Sequence, residues 1–542
     1  MGFPEAPKAH SEPGAGRLTR RGLLARAAVA GVALPAAGLL GPSARSGAAP
    51  LALQDNGKTL VVAIPQPTVQ LDPSIAGSNG YGDIIPVADN VTEGLTRFKL
   101  GSAEIEPALA ESWDVSADGL TYTFRIRPNV TFHDGTKLDA KAVETNFLRQ
   151  LDEKHPLHDA GMVYAGIVFA DVEKVVAIGD LDLTVTLGKP SILLPGNLAI
   201  FAAGIVSPTQ LEKDGKNAGQ AIVGTGPFKF DTWTKDVELD LVANDAYWGG
   251  KPKLDKVVFR TIPEDTVRLS ELQTGSIDVA NQIDFKDADT ISGDANLQLI
   301  TGPFLNVQFL ALNQSLAPFD NPKVRQAVEH AINKKNIADA VFYGHYTEGA
   351  GPIAPPLPGY DASLAGTYPY DPEAAKKLLA ESGVTDLGFD LLNRGNSVWP
   401  TVGQLVQADL AAVGITANLT SLEDAEFFKE LGSGTTVAFL NDWTWDNGDP
   451  DNLMYPIFAS DRAKQRLGYD NAKVKQLIGD AQLEKDPAKR TQLYLDAEKQ
   501  ILADSVMVVL GYPQRGIGAT KAVQNLVVSP VGDLVLREVD LG

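Results

Sequence analysis

The chain has 542 residues, no cysteine, six histidines and a formal net charge of −21 at pH 7. Without cysteine there can be no disulfide, thiolate metal site, cysteine nucleophile or lipidated cysteine, and so acidic a chain should repel nucleic acid and anionic lipid headgroups. Its length exceeds what one hydrophobic core supports, so two or more domains are expected.

The first 48 residues have the pattern of a twin-arginine export signal. Arg20 and Arg21 precede an Ala/Leu/Val-rich stretch that ends near Leu40, and small residues near Ala48 offer a cleavage site. The apolar stretch is too short for a comfortable membrane span, so we expect the signal to be removed. An exported protein with neither a lipid anchor nor a membrane span stays near its cell only behind an outer membrane. The sequence therefore predicts a soluble periplasmic protein.

Strand-like runs dominate the first half, with few long helices between them; they cover 59–64, 121–127, 175–178, 183–187 and 256–261. The second half alternates helices and strands. Asn321 and Asp371 each precede proline, a pattern typical of an N-cap followed by the first helical residue, and Gly383 should end the second of these helices. A strand at 389–392, a helix at 402–413, a strand at 415–419, a helix at 425–431 and a strand at 437–440 then predict consecutive βαβ units.

The two halves therefore predict two lobes with a cleft between them. The run 305–313 is expected to be the first crossing, and the segment after Tyr512, with strand-like runs at 525–528 and 534–536, should return to the first lobe. Two crossovers of this kind form a hinge. The expected division is lobe I at 55–300 with an inserted subdomain at about 100–215, lobe II at 301–515, and a return to lobe I at 516–542.

The densest group of candidate site residues follows the apolar run 437–440, which predicts a buried strand. In open α/β sheets ligands bind at the carboxyl ends of strands, so Trp443 and Trp445 are expected to form apolar walls. Four aspartates would supply negative charge: Asp442, Asp446, Asp449 and Asp451. The alternative is an acidic, solvated loop whose tryptophans belong to the core.

Enzyme motifs are scarce. The chain has no G-x-S-x-G elbow, no H-E-x-x-H, no P-loop and no Gly-rich dinucleotide turn. His155 and His158 lie in a polar loop with no third ligand evident nearby, which favours a surface loop over a metal site. Neither a catalytic residue, a cofactor nor a metal is therefore expected, although catalysis by paired carboxylates at Asp442 and Asp446 stays open.

Seven short motifs occur in order: EPALAESW at 106–113, DGLTYTF at 118–124, FHDG at 132–135, VGTGPF at 223–228, YW at 247–248, NPKVRQA at 321–327 and YDPEA at 370–374. Together they resemble the extracellular solute-binding proteins of family 5, the receptors of peptide, nickel and related ABC importers. The resemblance covers essentially the whole chain after the signal. It implies a two-lobed α/β periplasmic binding protein of the large type II class, with an extra subdomain in lobe I. Most motif residues should shape the fold without contacting ligand.

The segment WTWDNGDPDN at 443–452 is similar to the dipeptide-binding member of that family. In that member the matching aspartate holds the peptide's α-ammonium, which implies the same role for Asp446. The oligopeptide-binding relative implies that Trp443 lines the pocket. A carboxylate in a closed, low-dielectric cleft binds an ammonium more strongly than it does in water.

Two residues depart from the relatives' pattern, because Trp445 and Asp442 stand where small residues are usual. The Trp445 indole should narrow the first side-chain pocket unless it points into the core, and the Asp442 carboxylate could favour a dibasic or otherwise cationic ligand. Arg394 follows the strand at 389–392 and corresponds to a carboxylate-clamping arginine; the alternative is a surface arginine. Trp399, in the same loop, is a candidate wall or a core residue.

The sequence therefore predicts a non-catalytic, monomeric receptor that closes around a short peptide or similar amine-bearing solute. It would deliver this solute to the permease and ATPase of an ABC importer. Two alternatives remain at this point. The ligand could be an opine or a metal chelate, or the chain could be an exported hydrolase that uses the acidic loop 442–451.

Overall fold

Twenty strands and fifteen α-helices make up the regular structure of the described residues, which are 57–75, 84–396 and 398–542 of the computed structural model. The strands are β1 (Thr59–Ile64), β2 (Thr96–Phe98), β3 (Ile105–Pro107), β4 (Ala110–Val115), β5 (Thr121–Ile126), β6 (Val172–Ile178), β7 (Asp182–Leu187), β8 (Phe228–Thr234), β9 (Glu238–Ala243), β10 (Lys256–Thr261), β11 (Val279–Asn281), β12 (Leu297–Pro303), β13 (Asn306–Leu312), β14 (Tyr346–Glu348), β15 (Gly388–Arg394), β16 (Thr416–Leu422), β17 (Ala438–Thr444), β18 (Met507–Thr520), β19 (Val523–Gln524) and β20 (Asp540–Leu541). The helices are α1 (Ala140–Leu151), α2 (Ala165–Val168), α3 (Leu194–Asn197), α4 (Pro208–Asp214), α5 (Asp265–Thr274), α6 (Ala288–Gly293), α7 (Pro322–Ala331), α8 (Lys334–Phe342), α9 (Pro372–Ser382), α10 (Trp399–Ala412), α11 (Asp424–Gly432), α12 (Asp451–Met454), α13 (Asp461–Leu467), α14 (Ala472–Leu483) and α15 (Pro487–Asp504).

The export signal predicted for residues 1–48 lies outside these described residues. Within them, no helix combines the length and the hydropathy that a bilayer crossing requires.

The largest sheet has the strand order β16-β15-β17-β13-β18-β11-β1-β10-β9-β8, with β12 and β14 also paired to β18. Strand β18 joins two halves of this sheet, one formed by β13 to β17 and the other by β1 and β8 to β12. Its residues Met507–Gly511 pair with β13, whereas Gln514–Thr520 pair with β12 and, further along, β11. The chain therefore passes between the halves twice, once from β12 to β13 and once within β18.

The predicted βαβ units are present in the half formed by β13 to β17. Strand β15 is parallel to both β16 and β17, and α10 and α11 make the two connections. The helix starts are also confirmed: the Asn321 side chain accepts a hydrogen bond from the Lys323 amide at 3.0 Å, and Asp371 caps α9 in the same way. Helix α9 ends at Gly383, whose φ of 70° is in the region that favours glycine.

Both faces of β13 are buried, and successive residues of the strand point to opposite faces. On β13, Leu310 and Leu312 pack with α7 to α10 in one core. Phe309 and Ala311 pack on the other face, in a larger core that also contains Trp445 and residues of the separate sheet β4-β5-β7-β6. The segment after β17 thus begins at a junction between cores.

The carboxyl-terminal tail differs from the prediction. The runs 525–528 and 534–536 are not strands; instead β19 pairs with β20, with Val523 opposite Leu541. The apolar side chains of those runs, such as Leu526 and Leu534, are nevertheless buried against the core around β1. Their hydrophobic pattern therefore indicated burial correctly and a strand incorrectly, because irregular segments can also cover a sheet.

Two of the motifs, at 223–228 and 247–248, meet at the buried carboxylate of Glu93. The Thr225 hydroxyl (2.8 Å), the Tyr247 hydroxyl (2.7 Å) and the Trp248 indole N–H (2.9 Å) all donate to it. Burial raises the pKa of Glu93, while these hydrogen bonds lower it. The Trp248 ring also lies 4.3 Å from the Arg127 guanidinium. These motif residues hold loops of the fold together.

Candidate ligand-binding site

A cavity of about 1020 Å³ lies where the carboxyl ends of β15, β16 and β17 meet the amino end of β13. Arg394 ends β15, Thr444 ends β17, and Asp424 follows β16 at the start of α11. Asn306 begins β13 and lies opposite Thr444, because β13 and β17 are antiparallel. The other half of the sheet supplies further lining residues: Gln282, Ile283, Phe285, Gln514, Arg515 and Gly516. Of the aspartate-rich cluster, Asp442 and Asp446 line this cavity.

Strand β17 is longer than the sequence suggested. It continues to Thr444 because β13 pairs with it along its whole length, with Gln308 opposite Asp442 and Val307 opposite Trp443. Asp442 and Trp443 are thus strand residues whose side chains leave opposite faces of the sheet. Both line the cavity, since it reaches around the end of the strand.

Asp442 forms an ion pair within the cavity wall. Its carboxylate accepts hydrogen bonds from Asn306 Nδ2 at 2.6 Å and from Arg394 Nη1 at 3.2 Å. Burial raises the pKa of Asp442, whereas Asn306 and Arg394 lower it. The expectation that Asp442 favours a cationic ligand is not supported by this arrangement, because Arg394 already balances its charge.

Arg394 lines the cavity with its charge balanced by two carboxylates. Its Nε and Nη2 each donate to Asp424 at 2.9 Å, in addition to the bond to Asp442. The hydrogen bonds to Asp424 raise the pKa of Arg394 against the effect of its burial. The position agrees with the predicted site, but this bidentate pair occupies the face of the guanidinium that a ligand carboxylate would use.

Asp446 differs from every other aspartate of the loop. It lines the cavity, is half-buried, and has no hydrogen-bond or ion-pair partner among the described residues. Burial alone raises its pKa, to about 6. A carboxylate that has lost water without gaining a protein partner is costly unless a ligand cation supplies one.

Asp449 and Asp451 do not line the cavity; they fasten the loop to α14 and α15. Arg490 makes two 2.8 Å hydrogen bonds to Asp449, and Asp451 accepts from Gln482 Nε2 and Tyr494 Oη at 3.0 and 3.1 Å. The expectation that all four aspartates supply charge to a ligand is therefore wrong for these two. Their carboxylates are satisfied by structural partners.

The three predicted tryptophans have different surroundings. Trp443 lines the cavity, and its indole N–H donates to Asn452 Oδ1 at 3.0 Å, which fixes the ring. Trp399 begins α10, lines the cavity and is 3% exposed, so it serves the wall and the core together. Trp445 is 0% exposed, belongs to the core and is not among the lining residues. This placement contradicts the expectation that Trp445 narrows the pocket and fits the alternative core role.

The backbone explains why the Trp445 side chain is buried in the core. Its N–H donates to the Leu305 carbonyl at 2.9 Å, so the chain still follows β13 one residue beyond the end of β17. The indole is thereby directed into the core, although its own N–H has no hydrogen-bond partner in the described part of the chain.

Several lining residues were not predicted. Arg462 and Arg466 lie four apart on α13, Arg515 lies on β18, and Asn306 and Gln308 lie on β13. The four-residue spacing of the first two was a usable signal for a shared helix face. The others had no local signal, because only long-range strand pairing brings β13 and β18 to the cavity.

Ligand binding through Asp446 is expected to depend on pH. With a pKa of about 6, this carboxyl is mostly ionised at pH 7 and mostly protonated at pH 5. A ligand ammonium needs the ionised form, so affinity should fall about tenfold from pH 7 to pH 5. Calorimetry at pH 5, 6 and 7 measures this, and Asp446→Asn should abolish the dependence. The same slope in that variant would assign the titration to another group.

A large cavity lined by both halves of a sheet that the chain crosses twice defines a solute-binding protein. Residues 104–465 match the family of bacterial extracellular solute-binding proteins, family 5, in its middle region, and the chain belongs to this family. The family is one of solute-binding proteins and not of enzymes.

Known relatives match over most of their length. The chain is 33% identical to heme-binding protein A of Haemophilus influenzae, over 81% of this chain and 84% of the relative. It is 32% identical to di/tripeptide-binding protein 2 of Pseudomonas aeruginosa, over 89% and 95% respectively. The fold matches the ABC transporter-associated periplasmic binding protein DppA of Helicobacter pylori, solved with the peptide STSA, with a TM-score of 0.75 and 29% identity over 90% of this chain and 98% of that one. The two-lobed α/β fold predicted from the sequence is thereby confirmed.

Proposed function

We propose that this protein is a soluble, monomeric periplasmic receptor that binds a short peptide, or a similar amine-bearing solute, and delivers it to the permease and ATPase of an ABC importer. The observation that carries the proposal is the Asp446 carboxylate in the wall of the 1020 Å³ cavity, for which the described part of the chain offers no partner. A relative named for di- and tripeptides, matched over 95% of its length, supports the same ligand class.

The cavity offers the mixture of groups that a peptide requires. Asp446 would hold the α-ammonium, while Trp443 and Trp399 provide apolar walls for side chains. Asn306 and Gln308 add amide groups that can bond a peptide backbone. The volume is at the upper end of the range for small-molecule sites, so it can hold more than one amino-acid residue.

Arg394 has a supporting role in this proposal. Its guanidinium holds Asp424 and Asp442 together across the ends of β15, β16 and β17. It would therefore keep the polar wall in place and offer a ligand at most its remaining edge. The clamp for a ligand carboxylate must then come mainly from other residues.

In this proposal lobe I comprises residues 55–300, with its subdomain at about 100–215, and lobe II comprises residues 301–515. Residues 516–542 return to lobe I. The hinge would be the β12–β13 connection and the middle of β18, where the chain crosses between the halves of the sheet.

Closure and specificity can be tested together. A bound peptide should raise the melting temperature, because a ligand at 100 times its dissociation constant stabilises the native state by about 2.7 kcal/mol. Small-angle scattering should give a smaller radius of gyration with the ligand than without it. The matched control is the same peptide with an acetylated amino terminus, which removes the ammonium and should bind far more weakly. An unchanged radius at saturation would contradict the hinge, and equal binding of the acetylated peptide would contradict the ammonium anchor.

A further inference from the structure

The charged side chains that line the cavity include more positive than negative groups. They are four arginines and three aspartates: Arg394, Arg462, Arg466, Arg515, Asp424, Asp442 and Asp446. Arg394 is paired with both Asp424 and Asp442. Of the lining groups that the structure describes, Arg462, Arg466 and Arg515 then remain against the carboxylate of Asp446. Arg515 also has the charge of Asp533 near it. Arg466 and Arg515 are half-buried, whereas Arg462 is exposed. Because an unpaired charge that is partly desolvated is costly, this arrangement is suited to a ligand that brings net negative charge.

Two of these guanidiniums lie side by side on α13. Arg462 and Arg466 are four residues apart, so their side chains share one face of the helix. Neither forms an ion pair with a described residue, and the buried Nε of Arg466 has no hydrogen-bond partner there. Burial lowers the pKa of Arg466, and the neighbouring charge of Arg462 lowers it further. No carboxylate of the described residues forms an ion pair that would offset this repulsion.

Two arginines with a structural role in this chain, unlike Arg462 and Arg466, are paired with carboxylates. Arg490, 24 positions beyond Arg466 in the chain, makes two hydrogen bonds to Asp449 and others to the Ala481 carbonyl and the Tyr494 hydroxyl. Arg149 is likewise paired with Asp72. Two like charges without partners in a cavity wall are therefore not the usual way in which this fold uses arginine.

Arg515 faces the same cavity from the other half of the sheet. Its guanidinium lies 5.5 Å from the centre of the Phe304 ring. Burial lowers the pKa of Arg515 to about 10, against the opposing effect of the Asp533 charge. Its positive charge is thus only partly balanced, and it adds to that of Arg462 and Arg466.

We propose that Arg462 and Arg466 form a carboxylate-binding subsite and that the solute is acidic, with one ammonium group for Asp446 and at least two carboxylates. The inference rests on the proposed function, because it assigns a second group of the same ligand. Guanidinium groups bind carboxylates through charge-assisted, often bidentate hydrogen bonds. A neutral peptide would leave the surplus of positive charge in place, and a basic peptide would increase it.

The test compares three tripeptides that differ in the central side chain: the acidic Ala-Glu-Ala, its isosteric amide Ala-Gln-Ala, and the basic Ala-Lys-Ala. By calorimetry, the acidic peptide should bind about tenfold or more tightly than the amide, and the basic one should bind most weakly. Arg466→Gln should reduce the affinity for Ala-Glu-Ala by about 10- to 100-fold and remove most of the preference over Ala-Gln-Ala. Arg462→Gln should act in the same direction.

Lys464→Gln is the matched control. Lys464 lies on the same helix between the two arginines, is exposed, pairs with Asp470 at 2.9 Å and does not line the cavity. This change removes the same charge and should leave the peptide preference unaltered. Unliganded Arg466→Gln should melt at the parent temperature or higher, because the change removes an unpaired, desolvated charge next to a like charge.

The outcomes separate the inference from the proposed function. Peptides that bind through Asp446 but show no acidic preference, or a preference that survives both arginine variants, would overturn the inference alone. A lower melting temperature of unliganded Arg466→Gln with an unaltered preference would show a structural arginine and would also overturn it. If no peptide of any charge binds, the proposed function fails and the inference fails with it.

Discussion

Asp446→Asn is expected to weaken binding of an amine-bearing peptide by about 3 kcal/mol, or roughly 150-fold. Asparagine keeps the size of the side chain and part of its hydrogen bonding, but it removes the charge that pairs with the ammonium. No described protein group depends on this carboxylate. The unliganded variant should therefore be as stable as the parent at pH 7, or more stable, since a desolvated charge is gone.

Calorimetry on the parent and on Asp446→Asn measures this loss, and thermal melts of the unliganded proteins check stability. Asp461→Asn provides the matched control, because Asp461 is exposed in the first turn of α13 and outside the cavity lining. It should retain the parent affinity. If Asp446→Asn binds as tightly as the parent, the ammonium assignment is wrong.

Trp445→Gly is expected to lower the free energy of unfolding by about 3–5 kcal/mol, as truncation of a large buried aromatic side chain does. The indole is fully buried in the core beside the loop, so its removal leaves a void. The ranking of peptides by affinity should not change, because the ring does not line the cavity.

Urea unfolding and a peptide panel on the same variant measure both effects. Trp445→Phe is the graded control: it keeps most of the buried area and removes an indole N–H that has no partner in the described structure, so it should cost much less. Retained stability together with a new tolerance for larger first side chains would contradict the core assignment and support a pocket role.

Local signals were sufficient for most of the secondary structure. The caps at Asn321 and Asp371 depend on neighbours in the chain, and the βαβ alternation after Gly383 depends on short-range hydrophobic periodicity. The extent of β17 was predicted less well, because its last residues are held by β13, more than a hundred positions away in sequence. Propensity in the segment itself carries no trace of that pairing.

The candidate site shows the same difference between what local sequence signals reveal and what depends on long-range contacts. The four aspartates of the segment 442–451 are equivalent as sequence. Yet Asp449 is paired with Arg490, Asp442 is paired with Arg394, and only Asp446 remains without a partner that the structure describes. Which carboxylate is unpaired depends on residues from helices and strands far along the chain. For the same reason the sequence pointed to Arg394 as a clamp and did not reveal Arg466.

Strand β18 has a mechanical consequence. Its backbone pairs with β13 up to Gly511 and with β12 from Gln514, and between these segments Tyr512 and Pro513 pair with the short strand β14. The crossing is therefore held by a three-residue neighbour in place of a long one, and bending between the halves of the sheet is expected to concentrate there. Under the proposed function, solutes of different size would hold the two halves of the sheet at different angles.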